Sequence, residues 1–420
     1  DLLKGLKLSQ SLANALIGKI IFYRYLIDRK VRLNYNGKEL WTNEDLCDCL
    51  ANKNNFISFV SYLEDDKTGF NGDVFRISIE DYKKINQDAL NVLIRLLKSE
   101  DLKSGQQSLF DIYDFSILPI EFISNVYEKF IGIEKQDEES AYYTPTFLVD
   151  YIIAETVEKK LKLDDTDYNC RILDPSCGSG IFLVESLRRI IEKYIVVENV
   201  KNTNTESFRE SLRNLVCNNI FGIDKDYDAI QVAIFSIYLT LLDYQKPADI
   251  EKFKFPDLYG TNLIHSDAFD LENENLKELE ERKLHFDYVI GNPPWKRGGI
   301  KKGSHCEQYL KKKQLFNNIG NRELAQAFVL RSIDFTNTNT HCALVVASKI
   351  LYNIDSQKFR KFILDTLCLT QVFELASVRR EVFNKSNDKA IAPACVLFYK
   401  NALGKSTDKQ IQTFLDYDSV

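Results

Sequence analysis

The chain has 420 residues, which is long for one ordinary domain and predicts two or three domains of roughly 100–200 residues each. Hydrophobic residues make up 45% of the chain and charged residues 28%, a composition that excludes disordered and collagen-like proteins. The best apolar run, residues 232–242, is far shorter than the roughly 20 residues of a membrane span, so we expect no membrane partner. The net charge is −6, so a nucleic acid would have to be bound by a local basic patch.

Cysteine and histidine usage argues against a metal centre. The nine cysteines include no Cys-x-x-Cys pair, and the four histidines are far apart in the sequence. Scattered thiols are typical of proteins that fold in a reducing compartment. We therefore expect a cytoplasmic protein that binds no metal.

Residues 1–130 are predicted to form a mainly α-helical domain. Between Leu12 and Ile27, apolar side chains recur at three- and four-residue spacing, which predicts an amphipathic helix. Segments 85–98 and 118–130 show a similar pattern, and Asn71-Gly72 predicts a turn. The charged segment 134–140 is predicted to be a linker.

From residue 144 onward, predicted helices and strands alternate. Thr144-Pro145 predicts the start of a helix, with Thr144 as the N-cap and Pro145 as the first helical residue. Strands are expected at residues 171–173, 220–223, 286–290, 343–347, 370–375 and 394–399. Helices are expected from residue 181 and at 228–242, 324–335 and 357–367. This alternation predicts an α/β domain over residues 131–400, with a parallel sheet covered by helices on both faces. Residues 401–420 would begin a further segment.

A small-residue segment, residues 173–183, lies where the first of these strands ends and a helix begins. Its sequence is Leu-Asp-Pro-Ser-Cys-Gly-Ser-Gly-Ile-Phe-Leu, and its glycines would let a ligand approach the backbone closely. The carboxylate of Asp174 suits an ammonium group better than a pyrophosphate. Asp224 ends the next strand, where an acidic residue commonly binds ribose hydroxyls. It lies about 50 residues after Asp174, whereas a nicotinamide fingerprint has a spacing of about 20. The alternatives are an ordinary strand–helix turn and a surface acid.

The tetrapeptide Asn292-Pro293-Pro294-Trp295 follows the predicted strand 286–290, from which the single residue Gly291 separates it. Two prolines fix a rigid, non-helical loop. The side-chain carbonyl of Asn292 and the backbone carbonyl of Pro293 would provide two acceptors for one amine, and Trp295 an aromatic face on which a flat base can stack. The alternative is a proline turn beside a core tryptophan.

These two motifs together resemble the S-adenosylmethionine-dependent N6-adenine DNA methyltransferases of the gamma class. Residues 142–145 (Tyr-Tyr-Thr-Pro) resemble the amino-terminal cofactor motif of that class, and residues 265–269 resemble the segment that contacts the adenine of the cofactor. Segment 21–29 is similar to the helical part of type IIG restriction-modification enzymes and their relatives. The resemblance covers roughly residues 118–400. The sequence departs from the class in its last motif residue, which is Trp295 rather than Tyr or Phe, and we expect no target-recognition domain after Tyr399 within these 420 residues.

The resemblance implies a Rossmann-like methyltransferase domain with a mostly parallel seven-stranded sheet, preceded by the helical domain. It implies methyl transfer from S-adenosylmethionine to the N6 amine of a flipped-out adenine in double-stranded DNA, within a restriction-modification or related defence system. A specificity or nuclease subunit or domain is a further candidate partner. The implied catalytic residues are Asn292, Pro293, Pro294 and Trp295. The implied cofactor-binding residues are Tyr143, Thr144, Pro145, Asp174, Pro175, Cys177, Gly178, Gly180, Asp224, Asp267 and Phe269.

Basic residues cluster directly after the tetrapeptide. Those expected to contact DNA phosphates, from a mobile loop spanning residues 296–313, are Lys296, Arg297, Lys301, Lys302 and Lys311. Arg379 and Arg380 would extend the patch. The alternative is that these side chains only form a solvated surface.

Other activities remain open on the sequence. One is methylation of a different amine, namely cytosine N4, an RNA guanine or a protein glutamine; another is a non-catalytic DNA-binding subunit of a restriction system. A 5-methylcytosine mechanism needs a nucleophilic cysteine, which in that family follows a proline. The sequence contains no Pro-Cys dipeptide. Cys177 is therefore expected to be structural.

Overall fold

The computed structural model describes residues 8–98, 114, 144–281, 286–378 and 393–401, apart from residues 66, 68, 70–74, 76 and 251. Several predictions lie outside the described residues: the turn at Asn71-Gly72, the helix at 118–130, the linker at 134–140, Tyr143, the pair Arg379 and Arg380, and the segment after residue 401. The described part of the chain contains no helix with the length and hydropathy of a membrane-spanning segment.

The chain divides into two compact units. Unit 1 comprises Asp1–Ile131, Lys201–Asn214 and Ile234–Leu258, and unit 2 comprises Gly132–Val200, Leu215–Ala233 and Tyr259–Val420. The domain boundary predicted between residues 130 and 131 stays a prediction, because residues 115–143 are outside the described part.

The amino-terminal part of unit 1 is helical, as predicted. Its helices are Gln10–Asp28, Asn43–Leu50, Lys53–Glu64, Ile79–Lys84 and Gln87–Leu97. The first begins at Ser9, whose hydroxyl accepts a hydrogen bond from the Leu12 N–H at 3.3 Å. Short polar side chains also cap the other four helices, so the local sequence fixes where each begins.

A two-stranded hairpin in unit 1 was not predicted. Strands β1 (Arg32–Tyr35) and β2 (Lys38–Leu40) pair antiparallel around a turn in which Asn36 and Gly37 both have positive φ, 51° and 75°. Asn-Gly is the pair most typical of a two-residue hairpin turn, because both residues adopt left-handed backbone angles at low cost.

A seven-stranded sheet forms the centre of unit 2, and it confirms the predicted fold class. Its strands are β3 (Ile172–Asp174), β4 (Ile220–Asp224), β5 (Leu263–His265), β6 (Tyr288–Gly291), β7 (His341–Ala347), β8 (Leu367–Glu374) and β9 (Ala394–Asn401). The strand order is β5-β4-β3-β6-β7-β9-β8. The first five of these strands are parallel, and β9 runs antiparallel to both β7 and β8.

The central strands are buried along nearly their whole length. Every residue of β3 and β6 is buried, and so is every residue of β4 except the last one, Asp224, which is half-buried. This pattern is typical of parallel strands with both faces covered, and it explains why continuous apolar runs predicted them correctly. Strand β5 was missed because it has only three residues, of which two are buried.

Helices alternate with these strands. They are Thr146–Ile153, Lys159–Leu163, Ile181–Val197, Glu206–Asn219, Tyr227–Asp243, Pro247–Ile250, Glu274–Glu281, His305–Lys312, Leu324–Ser332, Lys349–Tyr352 and Gln357–Thr366. The predicted start of the first one was wrong. Pro145 is the N-cap, and the helix begins at Thr146. Thr144 does not cap it, and its hydroxyl accepts a hydrogen bond from Asn292.

Candidate active site at the carboxyl ends of the strands

The strand order of the sheet reverses between β3 and β6. From β3 the chain proceeds outward to β4 and β5, and it returns to the other side of β3 at β6. Ligands of open α/β sheets bind at the carboxyl ends of the strands at such a switch point. Asp174 is the last residue of β3, and Asn292 follows the last residue of β6. The structure therefore brings the two predicted motifs together.

Gly291 shows how close the two motifs are. A Cβ atom added to Gly291 would lie 2.4 Å from the Asp174 Oδ1 atom, which is too close for any side chain. Glycine at this position leaves room for the Asp174 carboxyl against the backbone that precedes Asn292, and a larger residue would have to displace that carboxyl.

The Asp174 carboxyl is buried, with 1% of its surface exposed. Its Oδ1 atom accepts a hydrogen bond from the Ser176 N–H at 3.0 Å. Burial raises the pKa of Asp174 to about 8; the Ser176 N–H opposes this rise and the Asp224 carboxylate adds to it. A buried carboxyl with a raised pKa has a strong preference for a cationic partner.

The predicted glycine segment forms a tight turn between β3 and the helix Ile181–Val197. Gly178 and Gly180 have φ values of 52° and 85°, in the left-handed region that favours glycine. A Cβ atom at Gly180 would also lie 3.1 Å from the Ala233 Cβ, whereas one at Gly178 would meet no atom within 4 Å. The Gly178 position therefore faces open space.

Asp224 organises the glycine turn. Its Oδ2 atom accepts from the Gly178 N–H at 2.9 Å and its Oδ1 atom from the Asp226 N–H at 2.8 Å. Burial raises the pKa of Asp224, and these backbone hydrogen bonds oppose the rise. Each carboxylate oxygen has two lone pairs, so Oδ1 and Oδ2 of Asp224 can each accept a further hydrogen bond from a hydroxyl group.

Cys177 is buried between the turn and β4. Its N–H donates to the Ile223 carbonyl at 2.9 Å, and burial raises the pKa of its thiol well above the ordinary value. A thiol in such surroundings is a poor nucleophile. Pro175, another predicted cofactor-binding residue of this segment, is also buried.

The segment after β5 contains the predicted residues Asp267 and Phe269. Asp267 Oδ1 accepts from the Phe269 N–H at 2.9 Å. The Phe269 ring is 2% exposed and packs against Tyr309 and Phe328, with ring centroids 5.5 and 4.9 Å away. The ring thus contributes to the core beside the site.

A residue that the sequence did not single out supports this segment. Arg331 is fully buried, and its Nε donates to the carbonyl of Ala268 at 2.7 Å. Its other nitrogens pair with Glu280 at 2.6 Å and with Asp334 at 2.8 Å. Arg331 lies in an ordinary helical pattern, so no sequence signal distinguished it from a surface arginine.

Asn292 and Trp295 are both anchored by hydrogen bonds. The Asn292 Nδ2 group donates to Thr144 Oγ1 at 3.0 Å, and the Trp295 indole N–H donates to the Val345 carbonyl on β7 at 3.1 Å. The Trp295 side chain is 6% exposed, so in this structure its ring offers little surface for stacking. Pro293 is buried and Pro294 is half-buried.

The predicted basic loop is partly helical. Residues 305–312 form the helix His305–Lys312, capped by Ser304, so the loop prediction was wrong for this half. The preceding half is tied to a neighbouring turn, since the N–H groups of Gly298 and Ile300 donate to the carbonyls of Asn321 and Arg322. A serine followed three residues later by a glutamate was an available helix signal.

Four of the five predicted DNA-contacting side chains are exposed, and the fifth, Lys296, is half-buried. Two of the exposed four already have partners. Lys311 lies 3.2 Å from Glu307, and Arg297 donates to Asn321 Oδ1 at 3.3 Å. The other two are Lys301 and Lys302.

Within the described ranges, no group of three or more His, Cys, Asp or Glu residues is arranged to hold a metal ion.

The family model and the curated relatives that the chain matches all describe restriction-modification methyltransferases. Residues 218–383 match the model of the Eco57I restriction-modification methylase family. The type II restriction enzyme and methyltransferase RM.Eco57I of Escherichia coli is 26% identical over 397 residues, which are 83% of this chain and 37% of the relative. The type II methyltransferase M.BanIII of Aneurinibacillus aneurinilyticus is 27% identical over 247 residues, 58% of this chain and 37% of the relative.

The fold also matches solved structures. The type IIL restriction-modification enzyme MmeI, solved in complex with DNA, superposes with a TM-score of 0.62 at 15% identity; the match covers 96% of this chain and 55% of that one. At this identity the likeness concerns the fold alone. The matched part is just over a third of the length of the two curated relatives, 37% in each.

Proposed function

We propose that this chain, of which residues 218–383 match the model of the Eco57I restriction-modification methylase family, transfers a methyl group from S-adenosylmethionine to the N6 amine of adenine in double-stranded DNA. The observation that carries the proposal is the placement of the buried Asp174 carboxyl against the strand end that precedes Asn292. A cationic group and an amine would then be held side by side at one switch point.

The residues present fit S-adenosylmethionine. Asp174 would hold its ammonium group, Asp224 its ribose hydroxyls and Asp267 its adenine edge. Gly178 faces open space, where a larger residue would intrude. When bound, the cofactor supplies a methyl group on a positively charged sulfur. Asp174 then has the cationic partner that its buried carboxyl prefers.

Asn292 and Pro293 would activate the target amine. The lone pair of an exocyclic amine is delocalised into the base, which makes the nitrogen a weak nucleophile. Hydrogen bonds from its two N–H groups to the Asn292 side-chain carbonyl and the Pro293 backbone carbonyl favour a pyramidal nitrogen with a localised lone pair. Both acceptors belong to a loop fixed by two prolines, so they are aligned before the reaction begins.

The target base has to leave the duplex to reach this site. In our proposal, Lys301, Lys302 and Arg297 bind phosphates, and Trp295 contacts the flipped base. Because the Trp295 ring is almost covered in this structure, the contact requires a local rearrangement when DNA binds. A specificity or nuclease subunit or domain remains a candidate partner, and a cytoplasmic location remains a prediction.

Identification of the methylated nucleoside tests the proposal. The chain is incubated with unmethylated plasmid DNA and S-adenosylmethionine carrying a deuterated methyl group, and the DNA is digested and analysed by mass spectrometry. We expect labelled N6-methyladenine. Labelled N4-methylcytosine would contradict the base assignment, and label in co-purified RNA or protein but not in DNA would contradict the substrate class.

A further inference from the structure

The hydroxyl of Thr144 contacts the side chain of Asn292, 148 residues away in the sequence. Asn292 Nδ2 donates to Thr144 Oγ1 at 3.0 Å, and Thr144 is buried, with 6% of its surface exposed. We propose that Thr144 is a positioning residue that sets the orientation of the Asn292 amide; the inference rests on the proposed function. Thr144 thereby acts on the catalytic residue, a role distinct from the cofactor contact that the sequence resemblance implies.

The orientation of this amide decides what it can do. An asparagine amide has an accepting oxygen and a donating nitrogen of nearly the same shape, so a half-turn exchanges them at little steric cost. With the nitrogen toward the target amine, two donors would face each other. In the structure the Thr144 hydroxyl accepts from the amide nitrogen, so the nitrogen lies on the Thr144 side and the oxygen forms the other branch of the amide. A hydrogen bond to a buried hydroxyl restrains rotation of the amide, and this restraint is the role that we assign to Thr144.

Thr144 can serve this role because it does not cap the following helix. The first turn of Thr146–Ile153 is closed by the Pro145 carbonyl, which accepts from the N–H groups of Leu148 and Val149 at 3.0 and 3.1 Å. A threonine before a helix ordinarily bonds to such N–H groups itself. The Thr144 hydroxyl makes no such bond to this helix, so its removal should change the stability of the helix little.

Both ends of the hydrogen bond are held by packed structure. On the helix after Thr144, Tyr151 accepts a hydrogen bond from Gln371 at 2.7 Å and its ring lies 4.2 Å from that of Phe373. Asn292 lies between Gly291, the last residue of the buried strand β6, and the two prolines. The Thr144–Asn292 contact therefore joins two rigid elements, as a positioning contact requires.

The test compares Thr144→Val, which keeps the shape but removes the acceptor, with Thr144→Ser, which keeps the acceptor. A matched control is Thr156→Val, since Thr156 is also buried and its hydroxyl donates to the Ile152 carbonyl four residues earlier, in the π-helical turn Ala154–Glu158 that follows the helix Thr146–Ile153. In single-turnover methylation we expect Thr144→Val to be slower by on the order of tenfold. Thr144→Ser should recover most of the rate, and Thr156→Val should match the wild type.

Calorimetry of the same variants separates positioning from cofactor binding. We expect S-adenosylmethionine and DNA to bind Thr144→Val with unchanged affinity. A loss of cofactor affinity in Thr144→Val that matches its loss of rate would overturn the positioning role in favour of a direct cofactor contact.

A readout without substrate tests the contact itself. With nitrogen-15 in asparagine only, the Asn292 side-chain amide is assigned by the signal lost in Asn292→Asp. We expect its hydrogens to exchange faster in Thr144→Val than in the wild type and Thr144→Ser. Unchanged exchange together with an unchanged rate would overturn the inference. If the wild type methylates no DNA, the proposed function fails, while the exchange experiment still decides whether Thr144 holds Asn292.

Discussion

At the residue scale, Asp174 combines two properties that rarely occur together in a stable protein. It is a carboxyl with almost no exposure, and none of the hydrogen bonds that the structure gives it comes from a cationic group. Burying such a group costs free energy unless it takes up a proton or a cation. The raised pKa of about 8 reflects that cost. We interpret the residue as a binding group whose partner is the ligand.

The pH dependence of cofactor affinity follows from this pKa. Below about pH 8 the ligand-free Asp174 carboxyl holds a proton, which must leave before the carboxylate can pair with an ammonium group. Between pH 5.5 and 7.5, affinity for S-adenosylmethionine should rise by about tenfold per pH unit, with about one proton released on binding. Calorimetry in buffers of different ionisation enthalpy measures both quantities.

The matched variant is Asp174→Asn, which should bind the cofactor weakly and with a flat pH profile. Asp165→Asn is the control, because that side chain is fully exposed. Strong, pH-independent binding by the wild type would contradict the assignment of Asp174 to the ammonium group.

At the scale of elements, the helix His305–Lys312 and the turn before it present the basic surface. Lys301 and Lys302 are exposed, whereas Lys311 already lies beside Glu307 at 3.2 Å. An ion pair of this kind has to be exchanged when a phosphate binds, so Lys311 gains less from DNA than an unpaired lysine would.

Salt dependence of DNA binding tests that difference. Changing both Lys301 and Lys302 to Ala should weaken binding to all sequences alike and reduce the log–log salt slope by roughly one unit per lost contact. Lys311→Ala should have a smaller effect. Fluorescence anisotropy at several salt concentrations gives the slopes.

The control for this experiment changes Lys159 and Lys162 to Ala. These lysines are exposed and belong to the helix Lys159–Leu163, which precedes β3 in the chain and lies outside the two motifs of the candidate site. An unchanged slope after loss of Lys301 and Lys302 would mean that these side chains are only solvated.

At the scale of the whole molecule, the sequence predicted the sheet better than the smaller elements. The strands of the parallel sheet read as continuous apolar runs because both of their faces are buried. The hairpin at Asn36-Gly37 carried a clear turn signal that the helical pattern of the surrounding region obscured.

The motifs of the candidate site were predictable, but their partners were not. Asp174 and Asn292 stand out as residue types at strand ends. The contacts of Thr144 with Asn292 and of Arg331 with Ala268 join residues 148 and 63 positions apart, and only the folded chain brings them together. For the same reason Thr144 was assigned wrongly as a helix cap, since local sequence favours that role.

The proposed chemistry is tested most directly by the single-turnover methylation rate of Asn292→Ala. If the Asn292 oxygen stabilises the amine mainly as it becomes a nucleophile, the rate should fall by on the order of 100- to 1000-fold, with cofactor and DNA affinity nearly unchanged. Asn339→Ala, at an exposed position before the amino end of β7, should leave the rate unaffected. A near-normal rate in Asn292→Ala would contradict the mechanism, because the tetrapeptide would then be only a proline turn.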